Sequence, residues 1–306
     1  MAKKTSYVLT ALTALTLAAF TLASPVAAHA GSSDRDKEVP RSKTFGGDCA
    51  KCELSGRSMR NAHFMNANFT GATMVAADLR EAHFLSSNFT SADLTAAILT
   101  DSQIISVIFT GANLTRAKLR DTQAVGSNFQ DATLSGADLT DASAQGANFT
   151  QAQMVGTIMR STDLTSAVMV RVVARDADFH DATLRGAVMV NGRFEKANFR
   201  SAELDAAVLQ GGNFDGADFK DASMHHTLIM GADLSRAIHL TQDQVDDACG
   251  DSRTRLPKGL TVHGCGVNVQ AIIRMSRHAI PVPPAPPAPP APPSPYNRFL
   301  VAIPHL

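Results

Sequence analysis

The chain runs to 306 residues without a tryptophan and is rich in small polar side chains, a composition that disfavours a conventional packed core and directs attention to repeats. Its 28 basic residues are matched by 28 acidic ones, a balance that suits neither a nucleic-acid binder nor a mimic of nucleic acid.

In chain order, Lys3 and Lys4, the apolar run from Tyr7 to Ala23 and the ending Ala28-His29-Ala30 predict a cleavable secretory signal over residues 1–30. The run is short and laced with Thr, which argues against a retained membrane anchor. Cleavage removes two lysines and no acid, leaving 26 basic and 28 acidic residues and a net charge near −2. Export to the periplasm or the exterior implies an oxidising compartment. Cys49, Cys52, Cys249 and Cys265 therefore read as disulfide candidates ahead of metal ligands. Residues 31–48 read as a flexible linker. The C-x-x-C from Cys49 to Cys52 is expected in an N-terminal cap; a redox or metal pair is the alternative, with neither a βαβ pattern nor a second C-x-x-C to support it.

A period of five begins at Leu54. Stepping by five as far as Leu234 gives 37 positions, of which 34 are Leu, Phe, Met or Ile, the exceptions being Ala124, Ala144 and Ala174. Every Phe between 54 and 234 lies on this comb. Two residues before each comb position the side chain is small, apart from Arg57, Val107 and Val172. Five matches neither the 3.6 of a helix nor the 2 of a strand, so burying the comb requires a coil with corners. Recurrence at twenty adds that the coil has four sides: Phe69, Phe89, Phe109, Phe129 and Phe149 fall in one column, and Phe179, Phe199 and Phe219 in another. Gly192 and Gly212 accompany the pairs Phe194/Phe199 and Phe214/Phe219, as a close-packed interior demands.

The units Ala92-Asp93-Leu94, Ala112-Asn113-Leu114, Ala137-Asp138-Leu139, Ala147-Asn148-Phe149 and Ala232-Asp233-Leu234 resemble the A-(D/N)-L-x-x unit of the pentapeptide-repeat family. The resemblance implies an all-β solenoid, a right-handed quadrilateral β-helix with the central apolar residue and the small residue two before it facing inward. The comb then amounts to about nine coils over residues 49–238, a rod roughly 43 Å long at ~4.8 Å per coil.

Residues 239–266 read as a C-terminal cap. Thr241-Gln242-Asp243-Gln244 carries a capping-box pattern that starts a short helix over 242–249, stopped by Gly250. A disulfide between Cys249 and Cys265 would close a short loop worth about 3 kcal/mol. Bonding of either to Cys49 or Cys52 is opposed by the rod's length, since a disulfide needs Cα atoms within about 7 Å. Residues 267–306 read as a disordered tail whose Pro-Pro-Ala repeats, Pro281 to Pro295, favour an extended polyproline spacer and suggest association with the cell envelope.

Outward residues also stack every twenty positions. Arg60, Arg80, Arg120, Arg160, Arg200 and Lys220 form one column beside Glu81, Asp101, Asp121, Asp141, Asp181 and Asp221, an arrangement that relieves like-charge repulsion and leaves no unopposed basic face for nucleic acid. Another face begins with Asn68, Asn88, Asn128 and Asn148 and ends in Val168, Val170, Val188, Val190, Val208, Leu228 and Met230. If these point outward they leave an apolar patch of roughly 200 Å², to be covered by residues 251–280, a second copy or another protein. His63 and His83 share a column that no carboxylate or third imidazole joins, so a surface pair is favoured over a metal site.

No nucleophile with a base, no paired carboxylates in a cleft and no phosphate loop stands out, and a filled rod offers little concavity. The sequence thus reads as an exported, non-catalytic scaffold without cofactor, working through protein contacts or as a homodimer. The family resemblance supplies the alternative of a DNA-mimicking rod that protects gyrase, for which the balance of 19 acids to 14 basic residues between 54 and 234 is too even.

Overall fold

Each comb side chain from Met59 to Leu234 is buried, none more than 5% exposed, and every fifth residue therefore faces one continuous interior. The computed structural model describes residues 47–264. The expected signal segment, residues 31–46 of the linker, Cys265 and the tail 267–306 lie outside the described residues.

The backbone winds as a four-sided right-handed β-helix in which the residue before each comb position pairs in parallel with the residue twenty positions on. One side runs from Asp48↔Asn68 through Val168↔Val188 to Val208↔Leu228, a second from Glu53↔Thr73 to Asn213↔Asp233, and a third from Ser58↔Asp78 to Asp218↔Ile238. The fourth opens with the three-residue strands β1 (His63–Met65), β2 (His83–Leu85) and β3 (Gln103–Ile105), paired in the order β1-β2-β3, and continues as single bridges to Glu203↔Ser223. The bonds that hold coil to coil are short and regular: Phe69 N–H donates to the Asn88 carbonyl at 2.7 Å, and Asn88 N–H to the Ala67 carbonyl at 2.9 Å.

Corners follow from local chemistry. At a typical one, Ala72 N–H donates to the Phe69 carbonyl at 2.9 Å while the third residue of the turn, Gly71, has φ +63°. The equivalent place in other turns, two residues after the comb, is held by Gly, Asn, Asp or Ser more often than by bulkier residues, because these tolerate the left-handed region at least cost. This explains the acidic column better than charge pairing does: Glu81, Asp101, Asp121, Asp141, Asp181 and Asp221 all occupy such corners, at φ between 56° and 60°. The Asp or Asn before the comb residue has a separate task. Asn68 Oδ1 accepts from the Thr70 N–H at 3.1 Å and the Thr70 hydroxyl at 2.7 Å, and Asn88, Asp93, Asn113, Asp138 and Asp163 repeat the arrangement with the Thr two residues on.

Inside, the Phe columns stack as the twenty-residue recurrence predicts. Ring centroids of Phe69, Phe89, Phe109, Phe129 and Phe149 succeed one another at 4.8, 5.1, 5.0 and 4.9 Å, and Phe179, Phe199 and Phe219 at 5.0 and 5.2 Å. Burial of each large side chain contributes ~1.5–3 kcal/mol. Volume is balanced where expected, since a Cβ on Gly192 would meet Phe194 at 2.4 Å and one on Gly212 would meet Phe214 at 2.7 Å. Several inward hydroxyls bond to backbone one coil below, Thr157 and Thr162 donating to the carbonyls of Leu134 and Leu139, both at 2.8 Å, while the buried Ser102 hydroxyl is left without a partner.

The ends differ in detail from the sequence expectation. At the N-terminus Cys49 and Cys52 are bridged, Cα to Cα 5.2 Å, across a turn in which Cys52 N–H donates to the Cys49 carbonyl at 3.1 Å. Cys49 occupies the comb position one coil below Phe69 and packs against the core. At the other end helix α1 spans only Gln242–Asp246, with the Thr241/Gln244 capping box formed and Val245 buried. It does not run to 249, because Cys249 N–H donates to the Thr227 carbonyl and Ile229 N–H to the Cys249 carbonyl, both at 2.7 Å, returning the chain to the ladder. Arg255 likewise pairs with Asp233, so coil-type pairing continues beyond 238. Gly250 is small for reasons of space and not to stop a helix: a Cβ there would lie 2.1 Å from Val262 Cγ2. Cys249 is half-buried and has no disulfide partner among the described residues; Cys265, its expected partner, lies outside them.

Candidate interaction surface

The seven residues expected to form an open apolar patch are brought together, but not as a free surface. Val168, Val188, Val208 and Leu228 pair rung on rung, with Val170, Val190 and Met230 two residues along the same side. Val168, Val208, Leu228 and Met230 are only 5–6% exposed, and Val170, Val188 and Val190 are half-buried. Val208, Leu228 and Met230 make a small core of their own, joined by Val190 and Cys249. The correction has a physical cause. Two columns side by side, apolar except at Gln210 and each repeating at the coil spacing of ~4.8 Å, bury one another, and the rung containing Cys249 closes the top.

An open apolar ladder lies instead on the side built from β1, β2 and β3. The alternation of each strand sends Phe64, Phe84 and Ile104 inward and their neighbours outward. The register His63↔His83↔Gln103 and Met65↔Leu85↔Ile105 then generates two outer columns, one polar and one apolar. Val125 extends the apolar column by one more coil. Met65 is 46% exposed, Leu85 43% and Val125 38%. Val155, Ile158 and Ile238 are exposed too, but each stands singly among polar residues.

In the polar column the rings of His63 and His83 stack with centroids 4.3 Å apart and planes 11° from parallel, and His83 Nδ1 lies 3.0 Å from Gln103 Oε1. With the Nδ1 proton placed on His83, Gln103 accepts there and its amide NH₂ remains a donor. Between the columns runs a shallow groove of about 280 Å³, lined by His63, Met65, His83, Leu85, Gln103 and Ile105 over Phe64 and Phe84. No Lys, Arg, Asp or Glu lines it. Among the described residues no three His, Cys, Asp or Glu side chains gather as a metal would require.

Charge is concentrated on the neighbouring corner. Arg80 grips Asp78 at 2.6 and 2.8 Å, and this hydrogen bonding holds the Asp78 carboxyl below the usual carboxylate range. Arg160 pairs with Asp178, Arg200 with Asp218 at 3.3 Å and Arg120 with Asp138 at 3.6 Å. The arginines thus turn back toward their own side of the rod more than toward the next acidic column, which only Arg60–Glu81 at 3.4 Å and Arg120–Asp141 at 3.9 Å reach. Asp101 and Asp121 are exposed, and no ion pair reaches them among the described residues.

Neither the burial pattern nor the corner signal at positions such as Gly71 and Asp101 entered the sequence reading. The run Met65, Leu85, Ile105, Val125 at intervals of twenty did not enter it either, although the column count that picked out the valines applies to it equally.

Four parallel ladders around a filled interior define a right-handed β-helical solenoid. Pentapeptide repeats match in eight copies over residues 48–84, 87–123, 125–160, 160–191, 177–212 and 197–236, and the chain belongs to the pentapeptide repeat family. Among solved structures it is similar to HetL, a pentapeptide repeat protein involved in heterocyst differentiation regulation from the cyanobacterium Nostoc sp. strain PCC 7120. Identity is 26% over 69% of this chain and 93% of that one, with a TM-score of 0.63. Similarity also extends to full-length QnrB1, a plasmid-mediated fluoroquinolone resistance protein, at 18% identity over 78% of this chain and 100% of that one, with a TM-score of 0.23. A pentapeptide repeat protein of the Arabidopsis thaliana thylakoid lumen matches at 23% identity over 47% of this chain and 81% of that one, with a TM-score of 0.18. No curated protein matches the sequence.

Proposed function

We propose that this protein is an exported, non-catalytic scaffold that holds a protein partner against the side of its rod bearing Met65, Leu85, Ile105 and Val125. The single observation behind this reading is the open ladder: in four consecutive coils one column is apolar, with Met65, Leu85 and Val125 exposed and Ile105 half-buried between them. A flat, hydrogen-bonded side offers a partner a rigid template at little ordering cost. About nine coils make up the rod, with α1 as a lid at one end, the Cys49–Cys52 bridge as a staple at the other, and the Pro-rich tail as a link to the envelope.

Protection of gyrase by a DNA-like rod asks for acidic charge left unopposed along the axis, whereas Arg80, Arg120, Arg160 and Arg200 sit across Asp78, Asp138, Asp178 and Asp218. A thiol function asks for an accessible sulfur, and Cys49 and Cys52 are half-buried at the foot of the core.

The test is a photocrosslinking amino acid placed at Leu85 or, as a control on the same side, at Gln145. Exposed to the exported fraction, the Leu85 probe should yield an adduct heavier than the chain that the Gln145 probe does not; equal capture from both positions sinks the reading. Intact mass of the secreted protein decides export itself, with loss of residues 1–30 expected.

A further inference from the structure

We propose that the groove on the β1–β3 side is the docking site of the chain's own Pro-rich tail, Pro281 to Pro295, which would lie along the rod axis. The proposal rests on reading the ladder as a contact surface and adds its resident occupant. Three observations carry it.

The first is chemical and geometric. A polyproline helix has no internal hydrogen bonds, so its carbonyls seek donors while its rings seek apolar surface. The groove offers both in parallel: the imidazole N–H of His63 and the free amide hydrogens of Gln103 on one side, and Met65, Leu85 and Ile105 on the other. Aromatic and donor-lined grooves of this kind are how proline-rich segments are recognised. The repeats also match in length. One polyproline turn of three residues rises ~9.3 Å, close to the ~9.6 Å spanned by two coil steps, so one Pro-Pro-Ala triplet, such as Pro286-Pro287-Ala288, spans the three rungs from His63 to Gln103.

The second is reach. The described chain ends at Gly264, which pairs with Gly250 at the C-terminal end of the rod. From there to Met65 is about 43 Å at the coil spacing, and the intervening residues 265–280 span more than about 50 Å when extended.

The third is charge. From residue 266 to the end the chain has no Asp or Glu and carries Arg274, Arg277 and Arg298 on either side of the proline run. The groove is uncharged, and the corner beside it presents Asp101 and Asp121, which no other charged group pairs among the described residues. Arg60, Arg80 and Arg120 of the same corner are already paired with Glu81, Asp78 and Asp138, so Asp101 and Asp121 are the charges left for arginines that flank an uncharged polyproline stretch.

Tyrosine supplies the readout. There is no Trp, and the chain has two tyrosines, Tyr7 and Tyr296, the latter one residue after Pro295. In the full chain carrying Tyr7→Phe, acrylamide should quench Tyr296 fluorescence about twofold less than in a free peptide of residues 279–298. Leu85→Lys with Ile105→Lys in the rod, or Pro286→Asp with Pro289→Asp in the tail, should each restore quenching to the peptide value. The tail variant leaves the rod's sequence untouched, so it stays informative if the rod variant misfolds. Equal quenching in the unaltered chain and the tail variant overturns the proposal. That failure is separable from failure of the scaffold reading, because a Leu85 probe that still yields a heavier adduct keeps the surface while removing its in-chain occupant.

Discussion

Two apolar columns run along this rod, and they meet opposite fates. On the Val168 to Met230 side the position before the comb residue is apolar in four successive coils and so, Gln210 apart, is the position after it; neighbouring columns cover each other, and Val168, Val208, Leu228 and Met230 sink to 5–6% exposure. On the β1–β3 side the position before the comb residue is His or Gln, and Met65, Leu85 and Ile105 have no apolar column beside them to share burial with. Facing outward and being exposed are therefore different properties on a solenoid: the first is set by register, the second by what stands one column away.

A charge placed in each column tests this contrast most strongly. Val208→Lys should cost about 2 kcal/mol or more, because an ammonium must be desolvated or the ladder opened, whereas Leu85→Lys should stay within about 0.5 kcal/mol. Urea unfolding of the two variants measures both, and an equal cost would abolish the distinction. A smaller effect is expected from the glycine that closes the valine side. Gly250→Ala should cost about 1–3 kcal/mol by overpacking against Val262, while Gly56→Ala, with open space around it, should pay only the left-handed backbone term of about 1 kcal/mol. The charged corner should contribute least. The folded-state pKa of Asp78 is depressed, chiefly by its hydrogen bond to Arg80, so its stabilisation is fully present above the ordinary carboxylate pKa of ~3.9 and is lost as pH falls through the lower folded value. Asp78→Asn should remove less than about 1 kcal/mol of stability at pH 6 and flatten the acid limb, as thermal unfolding between pH 6 and pH 2.5 would reveal.

The coil itself was legible because period five is incompatible with any other element and because twelve Phe side chains keep it without a slip. The capping box was equally plain from Thr241 and Gln244. Burial of Val208 was not, since periodicity gives direction and says nothing of mutual cover. Nor was the role of Gly250, which depends on Val262 approaching it from twelve residues along the chain. The corner residues were a missed opportunity. Gly71, Asp101, Gly111 and Asp121 recur at a fixed offset and betray a left-handed turn to anyone asking about backbone conformation in addition to charge.

Because four five-residue sides complete each circuit, chain length sets compass bearing. Gaining or losing one pentapeptide between Val125 and Val168 would keep every inward side chain inward and leave the interior almost indifferent. It would nonetheless swing all later residues through a quarter turn, so that features now on adjoining walls would end up on the same wall or on opposite ones. Only changes of twenty preserve their bearing, which makes the number of repeats a specification of the protein's exterior as much as of its length.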